Sequence, residues 1–83
     1  MEYFTYIIQS LKDDSYYFGY TTDLCKRIIY HNAGLSKYTR KKKPWRLVYY
    51  KKFESKSDAI LFEKKLKKYK SHNLIQSFIN KNS

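Results

Sequence analysis

Aromatic and β-branched residues dominate positions 3–9, YFTYIIQ, a composition that fits a pleated, half-buried surface and predicts a strand. The polar run LKDDS predicts a turn. YYFGY at 16–20 predicts the returning strand of a hairpin, with Gly19 near its end. With Leu11 to Asp14 as the loop, Ser10 pairs with Ser15 and Ile8 lies opposite Tyr17. Tyr6 then sits one same-face step away, diagonal to Tyr17. A shift of one residue would put the two phenols on opposite faces.

From position 22 the period changes from two to that of a helix. In TTDLCKRIIYHN, Leu24, Cys25, Ile28 and Ile29 form an apolar stripe at helical spacing, with Thr22 as the expected N-cap and Asp23 suited to the positive helix end. AGLSKYTRKKKP carries no such period and holds Gly34 and Pro44, so it predicts a long basic loop. WRLVYYKKF at 45–53 predicts a third strand. Ser55 with Asp58 three residues on resembles a capping box and opens a second helix, whose buried arc contains Ala59, Ile60, Phe62, Leu66 and Tyr69. NLIQSFI predicts a last short helix. The order β-β-α-β-α-α in one domain, 1–83, predicts an α/β or α+β fold, a small sheet flanked by helices.

Charge narrows the class of partner. The 83-residue chain has 18 lysines and arginines against 7 acidic residues, a net charge of +11. Such an excess points to a polyanion, most often nucleic acid. No basic amphipathic segment or lipid signal marks the N-terminus, so no membrane association is expected. Aromatics at 19% set the chain apart from a disordered basic tail. The lone Cys25 excludes an intrachain disulfide, and with two histidines a structural zinc site is not expected. Without an apolar run of membrane-spanning length or a signal peptide, the expected location is cytoplasmic.

Two helical positions carry chemistry. Arg27 and His31, four apart, fall together on one border of the first helix's stripe, where a polar end can face a cleft beside the sheet; the alternative is two solvated side chains. Glu63 falls inside the apolar arc of the second helix, one carboxylate among Lys64, Lys65, Lys67, Lys68 and Lys70. A carboxylate there costs several kcal/mol (order of magnitude) unless it is paired or binds a cation. It either pairs with Lys67 or holds a divalent ion. Mg²⁺ often takes only one or two carboxylates and completes its shell with water and substrate phosphate. Tyr6, Tyr17, Arg27 and Glu63 together make a coherent set for phosphodiester hydrolysis, with a tyrosine orienting or deprotonating water, Arg27 on the phosphate and Glu63 holding Mg²⁺ or Mn²⁺. Lys37, Arg40, Lys41, Lys42, Lys43 and Arg46 would grip phosphates, with Tyr38 and Trp45 available to stack on bases.

At these residues the sequence resembles the GIY-YIG nuclease family, in particular its small stand-alone bacterial members. Phe4-Thr5-Tyr6 stands at the first motif and Tyr17-Phe18-Gly19 at the second. TTDLCKRIIYHN, KYTRKKKPWRLVYYKKF and AILFEKKLKK resemble the segments that follow. The first motif lacks its glycine, with Phe4 in that place, and Tyr20 stands where some relatives carry lysine. The resemblance implies a three-stranded antiparallel sheet and Mg²⁺- or Mn²⁺-dependent endonuclease activity on DNA. It implies Tyr6 and Tyr17 as motif tyrosines, Gly19 as the backbone approach behind them and Arg27 as the phosphate-facing arginine. His31 would be an active-site neighbour, Glu63 the metal ligand, and Asn73, or else Asn80, the family's late asparagine. A catalytically silent nucleic-acid-binding module, or a subunit that needs a protein partner for target specificity, is the rival reading.

Overall fold

A computed structural model describes residues 1–69 and 71–82. Lys70, one of the five lysines that closely follow Glu63, lies outside them. The elements are β1 (Tyr3–Ser10), β2 (Tyr16–Thr21), α1 (Leu24–Asn32), β3 (Trp45–Phe53), α2 (Lys56–Leu66) and α3 (His72–Asn82), with one 3₁₀ turn at Arg40–Lys42. The three strands lie in the order β2-β1-β3, and both pairings are antiparallel. This is the α+β order read from the sequence, and the last helix runs longer than its apolar pattern, NLIQSFI.

Hydrogen bonding at the turn fixes the hairpin. Ser10 donates its amide to the Ser15 carbonyl at 2.8 Å, and Asp14 takes a φ of +64°, which a short Asp side chain tolerates. Ile8 therefore pairs with Tyr17 and Tyr6 with Gly19, which keeps both phenols on one face. β1 is central, and Thr5, Tyr6, Ile7 and Ile8 are all buried. Tyr6, Ile8 and Trp45 form a core cluster on one face, with Tyr17, Leu24 and Ile28 packed against it. On the other face α2 comes close to β1, because Ala59 has no bulk and the Thr5 hydroxyl donates to its carbonyl at 2.7 Å. Phe62 and Phe78 bring α2 and α3 against Tyr49 of β3. Opposite Ile7 and Ile8, β3 takes one extra residue, Val48, as a bulge.

Three details correct the sequence reading. The N-cap of α1 is Asp23, which accepts the Lys26 amide at 3.0 Å. The Thr21 hydroxyl accepts the Asp23 amide at 3.1 Å, and this turn moves the cap one residue beyond Thr22. The buried face of α1 is also rotated: Cys25 and Ile29 are exposed, whereas His31 is buried. The imidazole tolerates burial because both ring nitrogens have partners. Third, Trp45 is buried and its indole donates to the Thr39 carbonyl at 2.9 Å, so it belongs to the core and is not available to stack on bases. The cap of α2 is Ser55, as expected, accepting the Asp58 amide at 3.1 Å.

The basic loop is ordered by its ends. α1 stops in a Schellman arrangement, with Gly34 at φ +78° donating to the His31 carbonyl at 3.2 Å and Leu35 to the Tyr30 carbonyl at 3.3 Å. Asn32 clasps the Trp45 backbone twice, accepting its amide at 2.6 Å and donating to its carbonyl at 3.0 Å. The Ser10 hydroxyl donates to the Lys42 carbonyl at 2.6 Å. Among the described residues no helix is long and apolar enough to cross a membrane.

Candidate active site

The site starts from the missing side chain at Gly19. On the neighbouring strand the Tyr6 ring lies across that position, and a Cβ there would come within 2.5 Å of the Tyr6 oxygen and 2.7 Å of Cζ. No other residue type leaves room for the ring, which accounts for the glycine without any demand on φ. The Tyr6 hydroxyl then reaches His31 Nε2 at 2.9 Å, and His31 Nδ1 reaches the Thr39 hydroxyl at 2.8 Å. Tyr17 meets the His31 ring edge-on, with centroids 5.2 Å apart.

Arg27 lies one turn before His31 on α1. Its Cζ stands 4.9 Å from the Tyr30 ring centroid, and its buried Nε has no hydrogen-bond partner. A buried guanidinium N–H without an acceptor is costly, and an oxyanion would satisfy it. Glu63 arrives from α2 with its side chain only 14% exposed and pairs with Lys67 at 2.8 Å. Tyr6, Tyr17, Arg27 and Glu63 all line one cleft of about 180 Å³, with Gly19 as its floor and Lys67 at its edge. His31 stands behind Tyr6.

Burial decides the protonation of this cluster. It pushes the Tyr6 phenol well above the ordinary tyrosine range; Arg27 beside it opposes the shift, and Tyr17 and Glu63 add to it. Tyr6 is therefore protonated at neutral pH. Burial also lowers the His31 pKa, and the Arg27 charge lowers it further, so the imidazole is neutral. The Tyr6–His31–Thr39 chain is thus uncharged, and it can donate and accept hydrogen bonds without a counter-ion.

Among the described residues no three His, Cys, Asp or Glu side chains converge as a ready metal cage. The donor set beside the phenols is the single Glu63 carboxylate. That fits a magnesium-type ion, which keeps several waters and completes its shell on substrate phosphate. It does not fit zinc, which wants three or four nitrogen or sulfur ligands.

The other expected residues divide by location. Lys37 and Tyr38 line a second groove, of about 440 Å³, that shares Tyr17 and Arg27 with the cleft. Arg40, Lys41, Lys42 and Lys43 are exposed along the loop, and Lys42 also pairs with Asp13 at 3.4 Å. Arg46 departs from this set. It pairs with Gln9 in the sheet, donates to the Gln9 side chain at 3.1 Å, and so stands on the opposite face of the sheet from Tyr6. Asn73 is exposed at the start of α3, and Asn80 lines a pocket with Tyr16, Arg46 and His72; neither lines the cleft. The sequence reading missed Thr39 and Asn32 as parts of the site, because both act through contacts made only after the loop folds back. The Lys67 pairing with Glu63, expected from the i,i+4 spacing as one of two alternatives, is present.

Comparison with known proteins agrees with this architecture. The model of the GIY-YIG catalytic domain matches residues 2–76. A UPF0213 protein of Listeria monocytogenes is 41% identical over 73 residues, which cover 87% of this chain and 81% of that protein. A UPF0213 protein of Streptococcus pyogenes is 42% identical over 77 residues, covering 92% of this chain and 83% of that protein. The solution structure of a UPF0213 protein from Bacillus halodurans superposes with a TM-score of 0.59 at 38% identity, over 96% of this chain and 84% of that one. With the sheet, the cleft and these relatives in agreement, the chain belongs to the GIY-YIG family.

Proposed function

We propose that the protein is an endonuclease that hydrolyses DNA phosphodiester bonds in the cleft between the hairpin, α1 and α2. The observation that carries this reading is the convergence of two phenols, a guanidinium with an unsatisfied buried N–H and a nearly buried carboxylate on one small cleft. Arg27 binds a non-bridging phosphate oxygen through charge-assisted hydrogen bonds. Tyr17, half-buried and open to both the cleft and the adjoining groove, orients the attacking water through its hydroxyl or, as the phenolate beside the Arg27 guanidinium, takes the water's proton to become the neutral phenol. Tyr6, held protonated, keeps its hydroxyl in hydrogen-bond contact with His31 Nε2, and the neutral chain behind it keeps its position. Glu63 would hold Mg²⁺ or Mn²⁺, which when bound supplies positive charge at the leaving oxygen.

The test is Glu63→Gln assayed beside the wild type on supercoiled plasmid with Mg²⁺ or Mn²⁺. DNA affinity is expected to persist while metal-dependent cleavage disappears. Equal cutting by both proteins would place the activity elsewhere. One observation favours a second reading, a nucleic-acid-binding module without turnover: the Glu63 carboxylate is already engaged by Lys67 at 2.8 Å. Tight, salt-sensitive binding with no cleavage across metals and DNA substrates would select it.

A further inference from the structure

The groove beside the cleft has no role in the hydrolysis described above. It is about 440 Å³, more than twice the cleft's volume of about 180 Å³, and it shares two walls with it, Tyr17 and Arg27. Its outer walls are Tyr30, Leu35, Lys37 and Tyr38. Tyr38 is 73% exposed and Leu35 66% exposed, so two large apolar side chains stand open to solvent together at this groove. No carboxylate lines the groove, and both its charged residues are cations. Lys37 Nζ lies over one face of the Tyr38 ring, 5.3 Å from its centroid, and with Tyr38 73% exposed the ring still has open surface for a stacked base.

From these facts we infer that the groove is a nucleobase subsite: it takes an unstacked base next to the phosphate held by Arg27, with Tyr38 as its stacking platform. The chemistry agrees at each wall. A base has an aromatic face for Tyr38 and an edge that tolerates Leu35, and the strand it belongs to is an anion that Lys37 and Arg27 attract. An acidic protein segment would match the cations, but a nucleic acid carries an aromatic plane on every unit of its anionic chain. Because Arg27 opens on both spaces, one nucleotide strand can place a phosphate in the cleft and a neighbouring base in the groove. The preferred substrate therefore has an unpaired base near the cutting site, since a paired base in a regular duplex is stacked and cannot enter. This inference rests on the proposed phosphate site, but it is tested by binding alone.

Oligonucleotides carrying 2-aminopurine report stacking by loss of fluorescence. Wild type, Tyr38→Ala and Tyr38→Phe are titrated without divalent metal against three probes: a single strand, a duplex with one unpaired 2-aminopurine, and a fully paired duplex. The wild type is expected to quench the first two, and its preference for them over the paired duplex is expected to fall about tenfold in Tyr38→Ala and to persist in Tyr38→Phe. Quenching of the single strand alone, or of both unpaired probes, separates a free strand from a base extruded out of a duplex, and either supports the subsite. No quenching by the wild type, or an equal loss of affinity for all three probes in Tyr38→Ala, overturns it. Absence of metal leaves the result independent of cleavage, so a protein that stacks bases but never cuts would refute the endonuclease reading and not this one.

Discussion

Gly19→Ala isolates the contact on which the cleft is built. On backbone grounds the change should help, because replacing a strand glycine reduces the freedom of the unfolded chain and stabilises by about 0.4–1 kcal/mol. The structure reverses the sign. The new methyl would sit 2.5 Å from the Tyr6 oxygen and 2.7 Å from Cζ, well inside contact distance. Tyr6 is 2% exposed and bound to His31 at 2.9 Å, so its ring has no free space to retreat into. Overpacking of this kind costs about 1–3 kcal/mol, and breaking the buried hydrogen bond adds about 1 kcal/mol. The sum, about 2–4 kcal/mol, exceeds the backbone gain and is a large share of the total stability of a domain this size. Thermal unfolding is expected to show a fall of about 10–25 °C in Tm. Tyr6→Phe removes the nearer atom and leaves Cζ in place, so the double variant should recover part of the loss, with a coupling of at least about 0.5 kcal/mol by denaturant titration. A Gly19→Ala protein as stable as wild type, or two changes that simply add, would show that the ring does not rest on the glycine.

Three further outcomes follow from the same geometry. Burial and Arg27 hold His31 below its ordinary value of 6.5, so the unfolded chain takes up the proton first as pH falls; the stability contributed by neutral His31 is complete above 6.5 and is lost below it. Denaturation midpoints measured between about pH 7.5 and pH 5 should fall with acid in the wild type and be flatter in His31→Gln; parallel curves would remove His31 as the cause. Lys67→Met frees the Glu63 carboxylate from an i,i+4 pair worth about 0.3–0.5 kcal/mol, so half-maximal Mg²⁺ in the cleavage assay should drop about twofold with Tm little changed; an unchanged metal requirement would mean the pair does not compete. Arg40→Ala or Lys41→Ala should each lower the slope of log affinity against log salt by about one on DNA, measured by fluorescence anisotropy, and an unaltered slope would take that cation off the phosphates.

The fold could be read from the sequence wherever one period ruled a segment. The three strands and the hairpin register follow from alternation and turn residues, and the third strand matches its expected bounds, 45–53. Glu63 stood out because a carboxylate interrupted an apolar arc, and it does sit nearly buried against the cleft. The failures share a cause. The face of α1 was read from apolarity alone, but a histidine with both nitrogens bonded buries as well as isoleucine, so Ile29 lost its place to His31. Trp45 and Arg46 open the expected third strand, yet their residue types group them with the basic loop as binding residues; alternation along that strand sends the first into the core and the second to the far face. The late asparagine was sought by type without a spacing to constrain it, and the described structure brings neither Asn73 nor Asn80 to the cleft.

Ser10 has a consequence for how fast this surface can capture a polymer. Its hydroxyl holds the Lys42 carbonyl and also receives the amides of Lys12 and Asp13, while Asn32, Thr39 and Trp45 fasten the other half of the same segment. A row of cations on a slack tether would have to be immobilised anew at each encounter. Here the row is set during folding, and a passing strand meets a finished template. Capture should then occur in a single kinetic phase whose rate rises steeply as ionic strength falls, with no slower rearrangement behind it.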